Sequence, residues 1–250
     1  MGDVMTKIHL VMPMAGRGSR FSAKGYKEPK PLLQIYGKPF FYWSTQSVRK
    51  FVELASLDFV VLEEHVSDFN IDAEIRKYFP EARLHVLPEV TEGAVITALK
   101  GCGDIGDSLP VVFNDCDHLF RSSQFNDFCQ RGCSRDIQGI LLTFASDVPR
   151  YSFVGKDDEG NVVRTAEKEA ISSEAICGCY YFSSRDVFEK EAKKYIKHCE
   201  YSEFFMSGVY NSMIADGMVV RSIPTDFHIP FGTPDEYNLA AENQCYKELL

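Results

Sequence analysis

The sequence predicts one α/β domain built on a mostly parallel sheet with helices on both faces. Three observations predict it. Short apolar runs alternate with longer amphipathic stretches through the first ~145 residues, the pattern of strands joined by helical crossovers. No linker-like segment or internal repeat divides the 250 residues, a length that supports one sizeable core. The composition is that of a globular chain, 45% apolar and 25% charged.

The elements follow in order. Ile8–Met12, Phe59–Leu62, Leu84–Leu87, Val111–Phe113 and Ile140–Phe144 are runs rich in Val, Ile, Leu and Phe and read as buried strands. Gly37-Lys38 turns the chain into a helix that begins at Pro39, a residue suited to a first helical position. Glu92–Lys100 reads as a second helix stopped by Gly101. In the second half, Asp157-Asp158-Glu159-Gly160-Asn161 reads as the turn of a hairpin, and Ile176–Phe182 as a strand. Arg185–Ile196 and Ser202–Ala215 read as helices, the latter capped by Ser202 and stopped at Gly217. Thr233-Pro234-Asp235-Glu236 is a helix start with cap, first-position proline and a glutamate three residues after the cap. The helix it opens is expected to align Tyr237, Ala240, Ala241, Cys245 and Leu249 on one face.

Charge and cysteine usage exclude several classes. Lys+Arg 27 against Asp+Glu 36 gives a net charge of −9, which speaks against a general nucleic-acid binder. No apolar run approaches the ~18–20 residues that span a bilayer. The start, Met1 to Lys7, lacks the form of a signal peptide. The eight cysteines form no C-x-x-C pair and no zinc pattern, so they read as reduced, mostly buried residues of a cytoplasmic protein.

The chemistry concentrates where the first strand runs into Met14-Ala15-Gly16-Arg17-Gly18-Ser19-Arg20-Phe21. Gly16 and Gly18 allow close backbone approach and aim N–H groups at anionic oxygens. The loop is neither a Walker A sequence nor a dinucleotide fingerprint, whose third glycine would stand at Phe21. Arg17, Arg20, Lys24, Lys27 and Lys30 set five cations in fourteen residues against one acid, Glu28, which points to a compact polyanion. Pro29 and Pro31 flank Lys30 and restrict the backbone on both sides of it.

These residues carry a resemblance. Gly16-x-Gly18-x-Arg20, Pro29-Lys30-Pro31-Leu32 and Gly37-Lys38-Pro39 resemble the N-terminal signature of the sugar-1-phosphate nucleotidyltransferases, or nucleoside-diphosphate-sugar pyrophosphorylases. Phe113-Asn114-Asp115-Cys116-Asp117, the Glu167-Lys168 segment, the strand around Gly178-Cys179-Tyr180 and Gly232-Thr233-Pro234 continue it in the family's order, over residues 8–240. The resemblance implies a Rossmann-like, GT-A-like fold. A nucleotide-binding part would cover about residues 8–145 and an acceptor-binding part about 146–250. The implied reaction joins an NTP to a sugar 1-phosphate or similar small phosphomonoester with Mg²⁺. Pyrophosphate is released, and the product is an NDP-sugar for surface polysaccharide or related biosynthesis.

The implied roles are specific. Met14, Ala15 and the Gly16, Gly18 and Ser19 amides, with Arg20, hold the nucleotide phosphates, and Lys30 acts at the α-phosphate. Thr91, Gly93 and Ala94 face the base, the last two leaving room for a flat ring. Asp117 is the metal ligand, while Asp115 is either a second ligand or a ribose contact. Lys168 binds the incoming phosphate and Glu167 the acceptor hydroxyls, with Cys177, Gly178, Tyr180, Tyr151 and Ser152 lining the acceptor pocket. One place departs from the pattern. The family's second metal aspartate, two residues before the late Gly-Thr, is Pro230 here, leaving Asp226 or His228 as nearby substitutes or a single firm ligand. Two rival readings share parts of this pattern. A glycosyltransferase of related fold would use Asp115-Cys116-Asp117 as its D-x-D site, and a regulatory homologue would bind nucleotide without turnover. Neither nucleic acid nor membrane is an expected partner, and the oligomeric state stays open.

Overall fold

The computed structural model describes residues 6–106, 108–134 and 136–248. The chain runs β1 (Ile8–Pro13), α1 (Ser19–Ser22), β2 (Gln34–Ile35), β3 (Lys38–Pro39), α2 (Phe40–Arg49), β4 (Leu54–Leu62), α3 (Glu63–Phe69), α4 (Ile71–Tyr78), β5 (Arg83–Leu87), α5 (Ala94–Gly101) and β6 (Val111–Asn114). It continues through β7 (His118–Arg121), α6 (Ser123–Gln130), β8 (Gly139–Ala145), β9 (Ser152–Lys156), β10 (Val162–Glu167), β11 (Glu174–Phe182), α7 (Arg185–His198), α8 (Met206–Ala215), β12 (Val220–Pro224), β13 (Phe227–Pro230) and α9 (Pro234–Ala240).

Among the described residues one nine-stranded mixed sheet forms the centre, ordered β10-β9-β11-β6-β1-β4-β5, with β8 paired to β11 and β12 to β8. The N-terminal strands β6, β1, β4 and β5 are mutually parallel, as the alternation of strands and helices requires. Strand β11 enters antiparallel to β6, β8 and β9 and so joins the later strands to the N-terminal ones. One face of the sheet buries Leu10, Met12, Phe59 and Val61 against Phe41, Ile71, Ile75 and Phe79 from α2, α4 and the residue after it. The other buries Val11, Val60, Val111 and Phe113 against α5, α7 and α8. A third, aromatic cluster of Phe21, Phe40, Trp43, Phe231 and Tyr246 joins the first loop to the late segments.

Local chemistry moves several boundaries. Pro39 precedes α2 as its cap, in extended conformation, because it also pairs in the short β2–β3 ribbon. Gly101 lies inside α5 rather than beyond it: a Cβ there would meet the Val60 side chain and stand 2.8 Å from Val11 Cγ1. Its smallness lets the helix lie on the sheet. Helix α8 starts at Met206 with Phe205 as cap, four residues after the expected Ser202, because Phe204 is held by backbone bonds to Glu92 and Val95 at the start of α5. Thr233 caps α9 as expected, accepting from Glu236 N, but the helix ends at Ala240 and Ala241 is exposed. Leu249 lies outside the described residues.

Gly101 yields a test whose sign depends on magnitudes. Alanine in a helix interior gains up to about 1 kcal/mol over glycine. Forcing an extra methyl into a packed contact costs about 1–3 kcal/mol. Gly101→Ala is therefore expected to lower stability by about 1–2 kcal/mol in urea unfolding. A variant more stable than the parent would show that the α5–sheet contact is loose.

Candidate active site

The site lies at the carboxyl ends of β1 and β6, which are parallel neighbours, so the loops that follow them share one rim of the sheet. Past β1, Met14 N still bonds Val60 O at 2.8 Å, and Met14 and Ala15 stay buried. The chain then emerges at the exposed Gly16 and Arg17. Gly18 has φ 58°, a left-handed conformation that suits glycine, and a Cβ there would sit 3.1 Å from Lys30 Cβ. Phe21, where a third glycine would stand in a dinucleotide loop, pins the far end by packing edge-on to Tyr26, Phe40 and Tyr237.

Lys30 opens a single 3-10 turn between its prolines, with Pro31 buried, and extends across to the end of β6. Its Nζ lies 2.9 Å from Asp117 Oδ2. Burial opposes the lysine charge, but Asp117, helped by Cys116 and Asp115, holds its pKa well above the ordinary range. Burial equally opposes the Asp117 charge, and Lys30, then His118 and Arg20, outweigh it and keep the carboxyl below its usual range. Asp115 goes the other way: burial, then the neighbouring Asp117, push it up despite Lys30.

Glycines make the space for these acids. β11 breaks its register between Ile176 and Tyr180, where Gly178 has φ 95°. Asp115 N donates to Gly178 O at 2.9 Å, and a Cβ on Gly178 would fall 2.8 Å from Asp115 Oδ2. A Cβ on Gly232 would strike Asp117 Oδ2, while Phe231 N donates to Asp117 O at 2.9 Å. The late Gly-Thr-Pro element is thus clipped onto the acidic strand end.

These groups line a cleft of two adjoining lobes, about 210 and 270 Å³, that share Arg20, Arg150, Glu167, Phe205 and Gly232. The first lobe adds Ala94, Asp115, Asp117, Cys177, Gly178 and Tyr180; the second adds Gly18, Ser19, Lys30 and Lys168. Glu167 Oε2 accepts from Ser152 Oγ and, at 2.9 Å, from Ser207 Oγ. Lys168 adopts φ 57°, a strained conformation for a side chain, fixed by its N–H donating to Tyr151 O at 3.0 Å. Its Nζ lies 4.7 Å over the Phe205 ring.

Some expected residues stand elsewhere. Met14, Ala15, Gly16, Thr91 and Gly93 are not among the cleft walls. Gly93 makes no room for a flat ring: the space a Cβ would take is filled by the Phe204 backbone, with Phe204 O 2.7 Å away. Thr91 Oγ1 donates to Gly93 O at 2.9 Å and tightens that turn. Asp226 does not reach the site. Its carboxylate accepts from Ser123 N at 3.0 Å and Ser123 Oγ at 2.6 Å, at the start of α6. In the β7–β13 ribbon Pro230 pairs with His118, so Asp226 lies four residues down the strand, about 13 Å away at ~3.3 Å per residue. His228 lines the cleft as a packed histidine, its ring 4.1 Å from Phe144, with burial holding it neutral.

Among the described residues no three His, Cys, Asp or Glu side chains converge on a preformed metal centre. The acidic pair nevertheless fits a hard cation. Asp115 and Asp117 supply carboxylate oxygens of the kind Mg²⁺ takes, and Asp115, pushed up by its neighbour, has no hydrogen bond to its carboxylate among the described residues. The sequence reading missed Arg150 and Glu236, which line the cleft, and the buried Ser207, which donates to Glu167. Glu236 showed only as a helix-start residue, and nothing in the order of residues singled out Arg150.

The chain has the fold of a nucleoside-diphosphate-sugar pyrophosphorylase from Vibrio cholerae RC9, at TM-score 0.77 and 23% identity over 94% of this chain and 100% of that one. An inositol-1-phosphate CTP transferase from T. maritima is similar at TM-score 0.75 and 15% identity, over 99% and 96% of the two chains. No curated protein matched the sequence. The Nucleotidyl transferase family model matches residues 10–244, nearly the whole chain, and this protein is therefore a member of that family.

Proposed function

We propose that the enzyme joins an NTP to a sugar 1-phosphate or similar small phosphomonoester, releasing pyrophosphate and forming an NDP-sugar. Its setting would be surface polysaccharide or related biosynthesis in the cytoplasm, a reducing compartment that suits eight free cysteines. The observation that carries this reading is the Lys30–Asp117 contact at 2.9 Å, which ties the cationic glycine loop to the acidic strand end inside one cleft.

The attacking oxygen is already anionic, so the reaction needs little general-base help. In-line attack on the α-phosphorus forms one P–O bond and breaks the bond to the β-phosphate, whose electron pair leaves with pyrophosphate. What the protein supplies is alignment and charge neutralisation. Arg20, with the Gly16, Gly18 and Ser19 amides, holds the β- and γ-phosphates. Met14 and Ala15 form the buried base of that loop, and Thr91, Gly93 and Ala94 the turn beside the nucleobase, of which Ala94 faces the cleft. Lys30 neutralises charge at the α-phosphate. Lys168 receives the acceptor phosphate, Glu167 its hydroxyls, and Cys177, Gly178 and Tyr180 form the wall behind them. Asp117, with Asp115, would hold Mg²⁺, which supplies charge to offset the crowded phosphates.

Two tests follow. Pyrophosphate release is measured for CTP, UTP, dTTP and GTP against glucose 1-phosphate, myo-inositol 1-phosphate and phosphocholine, with and without Mg²⁺. At least one pair is expected to turn over with Mg²⁺, and Asp117→Asn to lose at least ~100-fold in that pair, the scale of removing one electrostatic group from a charged transition state. No release from a broader panel of phosphomonoesters, or full activity without divalent metal, would overturn the reading. The second test concerns Lys30. Lys30→Ala is expected to lower kcat strongly with a modest rise in KM for nucleotide, since its contact strengthens in the transition state. Lys30→Arg is expected to rescue poorly, because a planar fork replaces a compact ammonium. Unchanged kcat in Lys30→Ala would remove it from the reacting centre.

A further inference from the structure

Arg150 lies in the connection between β8 and β9, outside every motif that marked the family. Three contacts fix its guanidinium. Nη2 donates to Glu236 Oε1 at 2.6 Å and to Tyr151 OH at 3.1 Å, and the group lies 5.0 Å over the Tyr151 ring. Glu236 is itself fixed, accepting from Tyr151 OH at 2.5 Å, with its N–H donating to Thr233 Oγ1 at 3.2 Å. Among the described residues Nε and Nη1 make no hydrogen bond, and the side chain, 45% exposed, lines both lobes of the cleft. Half of a planar donor fork is thus anchored and the other half is open toward the substrates.

The backbone couples this arginine to Lys168. Lys168 N donates to the carbonyl of Tyr151, the residue after Arg150, at 3.0 Å, and that bond holds Lys168 in its left-handed conformation. Two cations, one from the β8–β9 connection and one from the residue after β10, therefore line the same lobe of the cleft. A phosphomonoester carries about −1.5 to −2 charges at neutral pH. One lysine beside the Glu167 carboxylate leaves that charge under-compensated, whereas Arg20 and Lys30 belong to the nucleotide side.

We propose that Arg150 and Lys168 form a two-cation clamp on the acceptor's phosphate, with Arg150 a substrate-binding residue and Glu236 and Tyr151 its positioning residues. This rests on the functional reading above. The arginine offers a flat pair of N–H groups to two phosphate oxygens, and the lysine a point charge to a third. The attacking oxygen is thereby oriented while its charge is held in place.

The test measures KM for each substrate separately, with the other saturating, in the best pair found by pyrophosphate release. Arg150→Ala is expected to raise KM for the phosphomonoester about 10- to 100-fold, the range of a lost charge-assisted contact, with KM for the NTP within twofold. Arg150→Lys is expected to recover part of the loss. Glu236→Gln is expected to raise the same KM about 3- to 10-fold, because the positioning charge is gone while the hydrogen-bonding shape remains. Thermal unfolding separates this from a merely structural ion pair. If Arg150→Ala lowers Tm with both KM values unchanged, or raises KM for the NTP instead, the clamp is wrong. If no pair turns over at all, the functional reading fails and inorganic phosphate still probes the clamp through ³¹P line broadening. Weaker binding in both Arg150→Ala and Lys168→Ala than in the parent supports it, and equal binding overturns it.

Discussion

The site depends on one half-buried ion pair, Lys30 with Asp117, between residues 87 positions apart. Such a pair does not stabilise by charge alone, because drawing both groups partly out of water offsets much of their attraction. It persists because each partner is held from behind. Two prolines and the 3-10 turn set the Lys30 backbone, and Gly18 lets the first loop lie against its Cβ. Phe231 N and the bare Cα of Gly232 hold Asp117 from the other side. Three distant segments, the phosphate loop, the end of β6 and the late Gly-Thr-Pro turn, therefore share one coordinate.

Beyond that pair the cleft brings a second carboxylate close. Burial first, then Asp117, with a smaller push from Glu167, raise Asp115 against the pull of Lys30. A cation held between the two acids would relieve that opposition, while Arg20, Arg150 and Lys168 line the cleft as separate cations. Pro230 brings no charge to the ribbon position paired with His118.

Much of this was legible in the sequence, for identifiable reasons. The buried strands appeared because central strands are apolar on both faces, and the Thr233 cap because its chemistry is local. The glycine loop, Lys30 and Asp117 appeared through the order and spacing of motifs. What failed was whatever depends on a second segment. Gly101 looked like a helix stop because its partners, Val11 and Val60, lie on other elements. Gly93 looked like space for a ligand because Phe204 lies 111 positions later in the chain. Asp226 is close to Pro230 in sequence, yet an extended strand carries it out of reach. Arg150 was invisible because its meaning comes from Glu236 and from the backbone of Lys168.

The same distinction explains how the later strands are built. Their acids and cations are not presented by loop glycines but by strain and bulge: Lys168 at φ 57° closing β10, and Gly178 at φ 95° breaking β11. Each departure is fixed by a backbone hydrogen bond to a neighbouring segment, Tyr151 O for Lys168 and Asp115 N for Gly178. A strained residue held on both sides loses little entropy when substrate arrives, so binding energy is not spent on ordering it. The glycine loop, by contrast, emerges exposed at Gly16 and Arg17 between the buried Met14 and the contact of Gly18 with Lys30. In the proposed reaction the rigid segments would orient the nucleophile, and the exposed loop would accommodate a longer, multiply charged triphosphate. An in-line displacement needs that division, because the attacking oxygen has one correct direction whereas the leaving pyrophosphate must be both gripped and released.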